Sequence, residues 1–141
     1  VDSIHKKLGH VMWEYVGMSR NREGLQIALD KIKEVRKEFW TNVYVPGEEY
    51  DFNTELAKAL RLADFIEIGE LIARDALMRE ESCGGHFREE YQTPDGEAKR
   101  NDEEFSFVSC WKYNGEGEEP TLLKEPLIYE FVQRQQRNYK E

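Results

Sequence analysis

Cys83 and His86 stand three positions apart, a spacing that can supply two ligands of a zinc site. Zinc needs three or four ligands, and a second pair is missing. His5 and His10 are five apart and do not share a helix face. The same two residues could act as nucleophile and base, but such pairs are ordinarily assembled from distant segments. The ordinary reading is a small buried thiol beside a hydrogen-bonded imidazole. Gly84-Gly85 offers backbone that could cradle a phosphate. Phosphate loops, however, precede a helix, whose amides and positive end face the anion. These glycines follow a helical pattern and meet its negative end, so a helix stop is the simpler reading. Glu80, Glu81, Glu89 and Glu90 supply carboxylates for acid–base work, yet nothing in the sequence turns a pair of them toward a pocket. A solvated charged face is the default. A dinucleotide-binding fold needs a glycine-rich turn between strand and helix, with an acidic residue farther on. No stretch has that form, so this chain is not expected to hold a flavin or nicotinamide by itself. No catalytic, cofactor-binding or metal-ligating residue is assigned.

Three helical patterns would position whatever these residues do. In the first, Ile4, Leu8, Val11, Met12 and Tyr15 recur at offsets of three and four, with Ser3 as the expected N-cap and Gly17 as the stop. The second is expected to start at Asn21 and to bury Leu25, Ala28, Leu29, Ile32, Val35 and Phe39, ending before Pro46-Gly47. The third starts after Asn53 and runs to about Arg79. Leu56, Leu60, Ala63, Leu71 and Leu77 lie along one side, while Phe65, Ile66, Ile68 and Ile72 widen the apolar surface. A helix that is apolar on more than one side is contacted on more than one side. Beyond Ser82 the period shortens to two. Phe105, Phe107, Trp111 and Tyr113 fall on odd positions, and Leu127, Tyr129 and Phe131 alternate after Pro126. These two runs are expected to pair as a hairpin whose aromatic face packs on something else. A polar tail follows from Gln133.

The expected architecture is therefore mainly α: an antiparallel three-helix bundle over residues 1–81, followed by an extended segment with a β-hairpin and polar tail over 82–141, in the same domain. The length, 141 residues, suits one modest core. With 39% hydrophobic and 35% charged residues, interleaved, the chain reads as folded. A net charge of -9 without a basic stripe disfavours nucleic acid as a partner. No apolar run approaches the roughly 20 residues that span a bilayer. Two cysteines suit a reducing compartment, and no signal peptide or transit sequence is legible. The chain opens Val1-Asp2-Ser3 without an initiating Met, as an excised piece would.

The order of these features resembles the C-terminal domain of succinate dehydrogenase and fumarate reductase flavoproteins. Met12-Trp13-Glu14-Tyr15-Val16-Gly17-Met18-Ser19-Arg20 looks like that family's opening helix. Gly24-Leu25, Ala28-Leu29, Ile32 and Val35-Arg36 resemble its second, and Phe52-Asn53-Thr54 with Leu60 the start of its third. Arg74 and then Arg79-Glu80-Glu81-Ser82-Cys83-Gly84-Gly85-His86-Phe87-Arg88 resemble its R-x-E-S-R-G-x-H-x-R segment. Asp102-Glu103 and Glu125-Pro126 also fit. Cys83 departs from the family's usual Arg, which puts any role of that cation in doubt here.

The resemblance implies a spectrin repeat-like bundle attached after FAD-binding and capping domains. In the parent subunit, FAD exchanges hydride with succinate or fumarate, and electrons pass through an iron–sulfur subunit to a membrane anchor and quinone. The resemblance places that subunit in the cytoplasm, peripheral to the inner face of the cell membrane through its partners. The family's catalytic residues belong to preceding domains, and none maps onto this chain. Ser82, Gly84, His86 and Arg88 are the candidate interdomain docking residues. L-aspartate oxidase, a flavoenzyme with a similar Ser-x-Gly-x-His segment, and a free-standing helical interaction module are the alternatives. The isolated chain is expected to show a helix-dominated far-ultraviolet circular dichroism spectrum, no flavin absorbance and no succinate oxidation.

Overall fold

Asn21 and Asn53 decide where the two longest helices begin. In the computed structural model, which describes residues 1–48 and 52–136, the Asn21 side chain accepts a hydrogen bond from Gly24 N at 2.8 Å. Asn53 does the same for Leu56 N at 3.0 Å. Each satisfies an amide that the first turn of a helix leaves without an intrahelical acceptor. The elements run α1 (Asp2–Tyr15), β1 (Ser19–Arg20), α2 (Arg22–Asn42), α3 (Thr54–Met78), β2 (Phe87–Arg88), α4 (Asp102–Phe105), β3 (Phe107–Lys112) and β4 (Thr121–Pro126). About 48% of the structure is helical, so the chain is mainly α as expected. Two compact units divide it, Val1–Met78 and Arg79–Glu141.

The first unit has one core. Ile4, Leu8 and Val11 of α1 join all six stripe residues of α2, Leu25, Ala28, Leu29, Ile32, Val35 and Phe39. The α2 stripe thus matches its periodicity residue for residue. Helices α1 and α2 run in opposite directions, because Lys7 near the start of one pairs with Glu38 near the end of the other at 2.6 Å. Arg36 of α2 meets Glu67 at 2.7 Å and also Glu70, and Glu70 holds Arg74 one turn along α3 at 2.8 Å. Serine at position 3 does not cap α1. The helix begins two residues earlier than that cap would place it, with Val1 at the N-cap and no side-chain cap bond. Its end lies at Tyr15, and a Cβ added at Gly17 would fall 2.8 Å from the Trp13 carbonyl oxygen, so only glycine fits where the chain leaves the helix.

Helix α3 buries a different face from the one its large residues suggest. The buried positions are Ala59, Leu62, Ile66, Gly69, Ala73 and Ala76, mostly small. Leu56, Leu60, Phe65, Ile68 and Ile72 are exposed. At Gly69 an added Cβ would lie 3.2 Å from the Met12 sulfur, so α1 and α3 approach closely there. Small residues on one face let neighbouring backbones come near and gain contacts that bulkier side chains would block.

In the second unit β3 and β4 form an antiparallel hairpin in the register Phe107↔Pro126, Ser109↔Lys124 and Trp111↔Leu122. The partner of the aromatic strand is therefore 121–126, not the 127–131 run. Only Leu127 continues the ladder, donating to the Ser106 carbonyl at 3.0 Å. The alternating face behaves as expected at Phe107, which is buried, and at Trp111, which is half-buried. Residues 133–136 of the polar tail have no regular structure, and the remainder, 137–141, lies outside the described residues.

Two outcomes follow for the first unit. Ile32→Ala, at a fully buried position, should cost about 3 kcal/mol in urea unfolding followed by circular dichroism. Burial raises the Glu70 carboxyl, but hydrogen bonds from Arg74 and Arg36 outweigh it and leave the group below its ordinary value. Its contribution to stability is therefore complete above the unfolded carboxyl's value and fades as pH falls through the lowered folded one. Glu70→Gln should flatten this acid limb and cost about 1–2 kcal/mol at neutral pH, read from denaturation midpoints between pH 7 and 3.

Candidate functional site

Arg79 opens the second unit and organises it. Its guanidinium donates to the Phe105 carbonyl at 3.2 Å, the Phe107 carbonyl at 2.8 Å and the Ser109 hydroxyl at 3.0 Å. It also lies 4.7 Å from the centroid of the Phe107 ring. On the same ring sits the Lys124 ammonium, at 4.6 Å. A guanidinium carries several N–H donors in a fixed plane, so one residue can close several carbonyls and cover an aromatic face together. Glu81 completes this clasp. Buried, it lies 3.5 Å from Arg79 and accepts from Asn101 N at 3.0 Å.

Around Arg79 the segment Ser82–Arg88 folds into a small hairpin. Cys83 and His86 exchange both backbone bonds, Cys83 N to the His86 carbonyl at 2.8 Å and His86 N to the Cys83 carbonyl at 3.0 Å. Gly84-Gly85 is the two-residue turn between them. Gly84 has φ 59° and Gly85 is not among the residues of positive φ, the pattern of a type II′ turn with glycine at its first central position. The glycines therefore do not stop the helix. Helix α3 has already ended at Met78, and the pair serves a turn several residues later.

The four expected docking residues separate into two kinds. Ser82 and Arg88 are buried, Arg88 at 0% exposure, whereas Gly84 is exposed and His86 is intermediate. The Ser82 hydroxyl accepts from Arg88 N at 2.8 Å and donates to the Arg88 carbonyl at 3.1 Å, locking the base of the hairpin. The Arg88 guanidinium donates to the Arg79 carbonyl at 3.3 Å and to Glu90 at 3.1 Å, and lies 5.4 Å from the Tyr91 ring centroid. His86 Nε2 lies 3.1 Å from the same Arg79 carbonyl. Because that carbonyl only accepts, Nε2 carries the proton in this contact. An arginine expected to reach outward is thus turned inward, where it organises its own loop. The ordinary side-chain preference of Arg for the surface gave no warning of this. The Gly-Gly pair did carry a signal, since two glycines between short flanks favour a tight hairpin turn.

Cys83 is exposed, not the buried thiol the ordinary reading expected. Among the described residues, no group of three or more His, Cys, Asp and Glu side chains is placed to hold a metal ion. Among the described residues no glycine-rich turn joins a strand to the start of a helix. Asn21 and Asn53 close the N-termini of α2 and α3 themselves, and the Gly-Gly turn leads into no helix. Arg100 grips Asp102 through two nitrogens, at 2.6 to 3.1 Å. That hydrogen bonding raises the guanidinium above its ordinary value. No helix among the described residues is long and apolar enough to cross a membrane.

The family described as "Fumarate reductase flavoprotein C-term" matches residues 5–139. A polypeptide of the CoM/CoB fumarate reductase of Methanothermobacter marburgensis is 35% identical over 98 residues, which is 70% of this chain and 18% of that protein. The fumarate reductase flavoprotein subunit of a Serratia species is 31% identical over 114 residues, 81% of this chain and 18% of that one. L-aspartate oxidase of Yersinia pestis is 33% identical over a shorter stretch, 57% of this chain and 14% of that enzyme. The chain thus spans less than a fifth of the length of these curated relatives. Among solved structures, Escherichia coli quinol fumarate reductase superposes with a TM-score of 0.81 at 24% identity over 96% of this chain and 22% of that one. Mycobacterium smegmatis Sdh1 in complex with UQ1 gives 0.76 at 25% identity over 91% and 20%.

Ser82→Ala should cost about 1–2 kcal/mol, because it takes the acceptor from the buried Arg88 N–H, while the Arg88 carbonyl keeps the bond from Tyr91 N at 2.9 Å. Gly84→Ala should cost at least about 1 kcal/mol through its positive φ. Gly85→Ala should be close to neutral, since an added Cβ there meets nothing within 4 Å. Urea denaturation of the three variants side by side checks the ranking.

Proposed function

Because this chain belongs to the family of fumarate reductase flavoprotein C-terminal domains, we propose that it is the helical C-terminal domain of a succinate dehydrogenase or fumarate reductase flavoprotein subunit. The observation that carries this reading is the family match across residues 5–139, together with a matched share of under a fifth of each curated relative. In this reading the parent polypeptide is an FAD-dependent oxidoreductase that interconverts succinate and fumarate. FAD, when bound, accepts and returns the hydride, and the residues that hold it lie in the FAD-binding and capping domains that precede this region. An iron–sulfur subunit takes the electrons, and a membrane anchor subunit meets the quinone. The parent subunit then sits on the cytoplasmic side, peripheral to the membrane through those partners.

This chain's part is to buttress. Residues 1–81 serve as the antiparallel, spectrin repeat-like three-helix bundle, and 82–141 as an extension of the same domain. The Ser82–Arg88 hairpin meets the neighbouring domain through its tip, Gly84 and His86. Ser82 and Arg88 act from beneath by holding the tip in shape, as their burial supports. Rigid support of this kind lets a contact surface form without ordering cost at the moment of association.

The full-length polypeptide that contains this chain should purify with flavin absorbance and oxidise succinate, or reduce fumarate, with a dye as the electron partner. Oxidation of L-aspartate in place of succinate would make the parent an L-aspartate oxidase. A reading frame that begins at Val1 would leave a free-standing helical module, and a full-length polypeptide without flavin would overturn the proposal.

A further inference from the structure

Helix α3 carries a second apolar row that lies outside the buried core of its unit, with the His5 ring beside Phe65 at one end. Phe65, Ile68 and Ile72 stand at i, i+3 and i+7, one face of a helix, and are 45%, 51% and 44% exposed. Exposed Arg61 and Asp64 flank the row with both signs of charge. An apolar centre with a polar rim is the composition of a protein interface, whereas solvated helix faces carry charge throughout. Large apolar rings and branched chains left half in water lose the stabilisation that burial gives, roughly 1.5–3 kcal/mol for a fully buried side chain.

We infer that this row is the surface on which the preceding part of the flavoprotein polypeptide packs. The inference rests on the functional reading above. Two observations select that occupant. The first is length. The chain accounts for 14–18% of the curated relatives compared with it, and the matching family is the C-terminal region, so most of the relatives' polypeptide lies ahead of it. The second is place. Asp2 lies 3.6 Å from Lys58 of α3, and the His5 ring centroid is 5.7 Å from that of Phe65. The first turns of α1 therefore lie alongside the start of the row. A polypeptide arriving at Val1 is delivered to that row without a long connection. A permanent contact within one polypeptide also suits an apolar surface better than a transient one does.

Ile68→Cys makes the row readable. Maleimide labelling of this position, mapped by peptide mass spectrometry and normalised to the unfolded protein, should be at least tenfold slower in the full-length polypeptide than in this 141-residue chain. Equal rates in the two would overturn the inference. So would protection that appears only when the iron–sulfur subunit is added, or protection in this chain that grows with its concentration, which would indicate a second copy. Ile72→Cys repeats the measurement if the first variant does not fold. A full-length polypeptide that protects position 68 but holds no flavin would remove the functional reading and leave this interface standing.

Discussion

The close approach of α3 to its neighbours governs the first unit. Ala59, Gly69, Ala73 and Ala76 put almost nothing between backbones, so α3 settles against α1 and α2 on its smallest face. Packing density rewards that choice, because contact at van der Waals distance is gained along the whole helix. The consequence falls on the other side. Phe65, Ile68 and Ile72 are turned outward by the same rotation that buries Leu62 and Ile66. One geometric decision thus produces both the core and the apolar surface, and the polar network Arg36–Glu67–Glu70–Arg74 fixes the rotation from its edge.

The second unit solves a harder problem with different means. Its described residues hold no long helix and only short hairpins, so little apolar area is available to order it. Arg79, Glu81, Ser82 and Arg88 take over that work through hydrogen bonds, those between Ser82 and Arg88 buried and the others partly buried. Such bonds gain strength in a low-dielectric surrounding and penalise any loss of a member. The Arg79 carbonyl receives both His86 and Arg88, and its guanidinium reaches the hairpin at Phe107 and Ser109. The side chains of Arg79, Ser82, His86 and Arg88 are thus occupied in holding the backbone of their own segment.

That division fits a domain whose purpose lies in the polypeptide around it. In the proposed reading, a scaffold needs a stiff core and an outward surface, and the first unit has both in its packed helices and the exposed row of α3. The catalytic power of the relatives' enzymes belongs, in this reading, to the larger portion that this chain does not represent.

The sequence by itself determined the helix starts at Asn21 and Asn53, the α2 core residue by residue, and the mainly α class. A single apolar stripe beside a charged face has one way to pack, and an Asn before a helical period has one obvious acceptor to offer. The ordered motifs also pointed to the family ahead of any tertiary information. Tertiary structure alone decided the α3 face, the strand that joins the hairpin and the fate of Ser82–Arg88. Helix α3 carries apolar residues on more than one side, with charges spread between them, so period cannot choose between its faces, and only the neighbours' shapes select the small one. Thr121–Pro126 has little alternation to mark it as a strand, since Leu122 and Leu123 lie on opposite faces of the ribbon. Arg88 was expected at the surface because a lone guanidinium is costly to bury. Folding brings the Arg79 carbonyl, the Glu90 carboxylate and the Tyr91 ring to its Nη1, Nε and face, which offsets part of that cost.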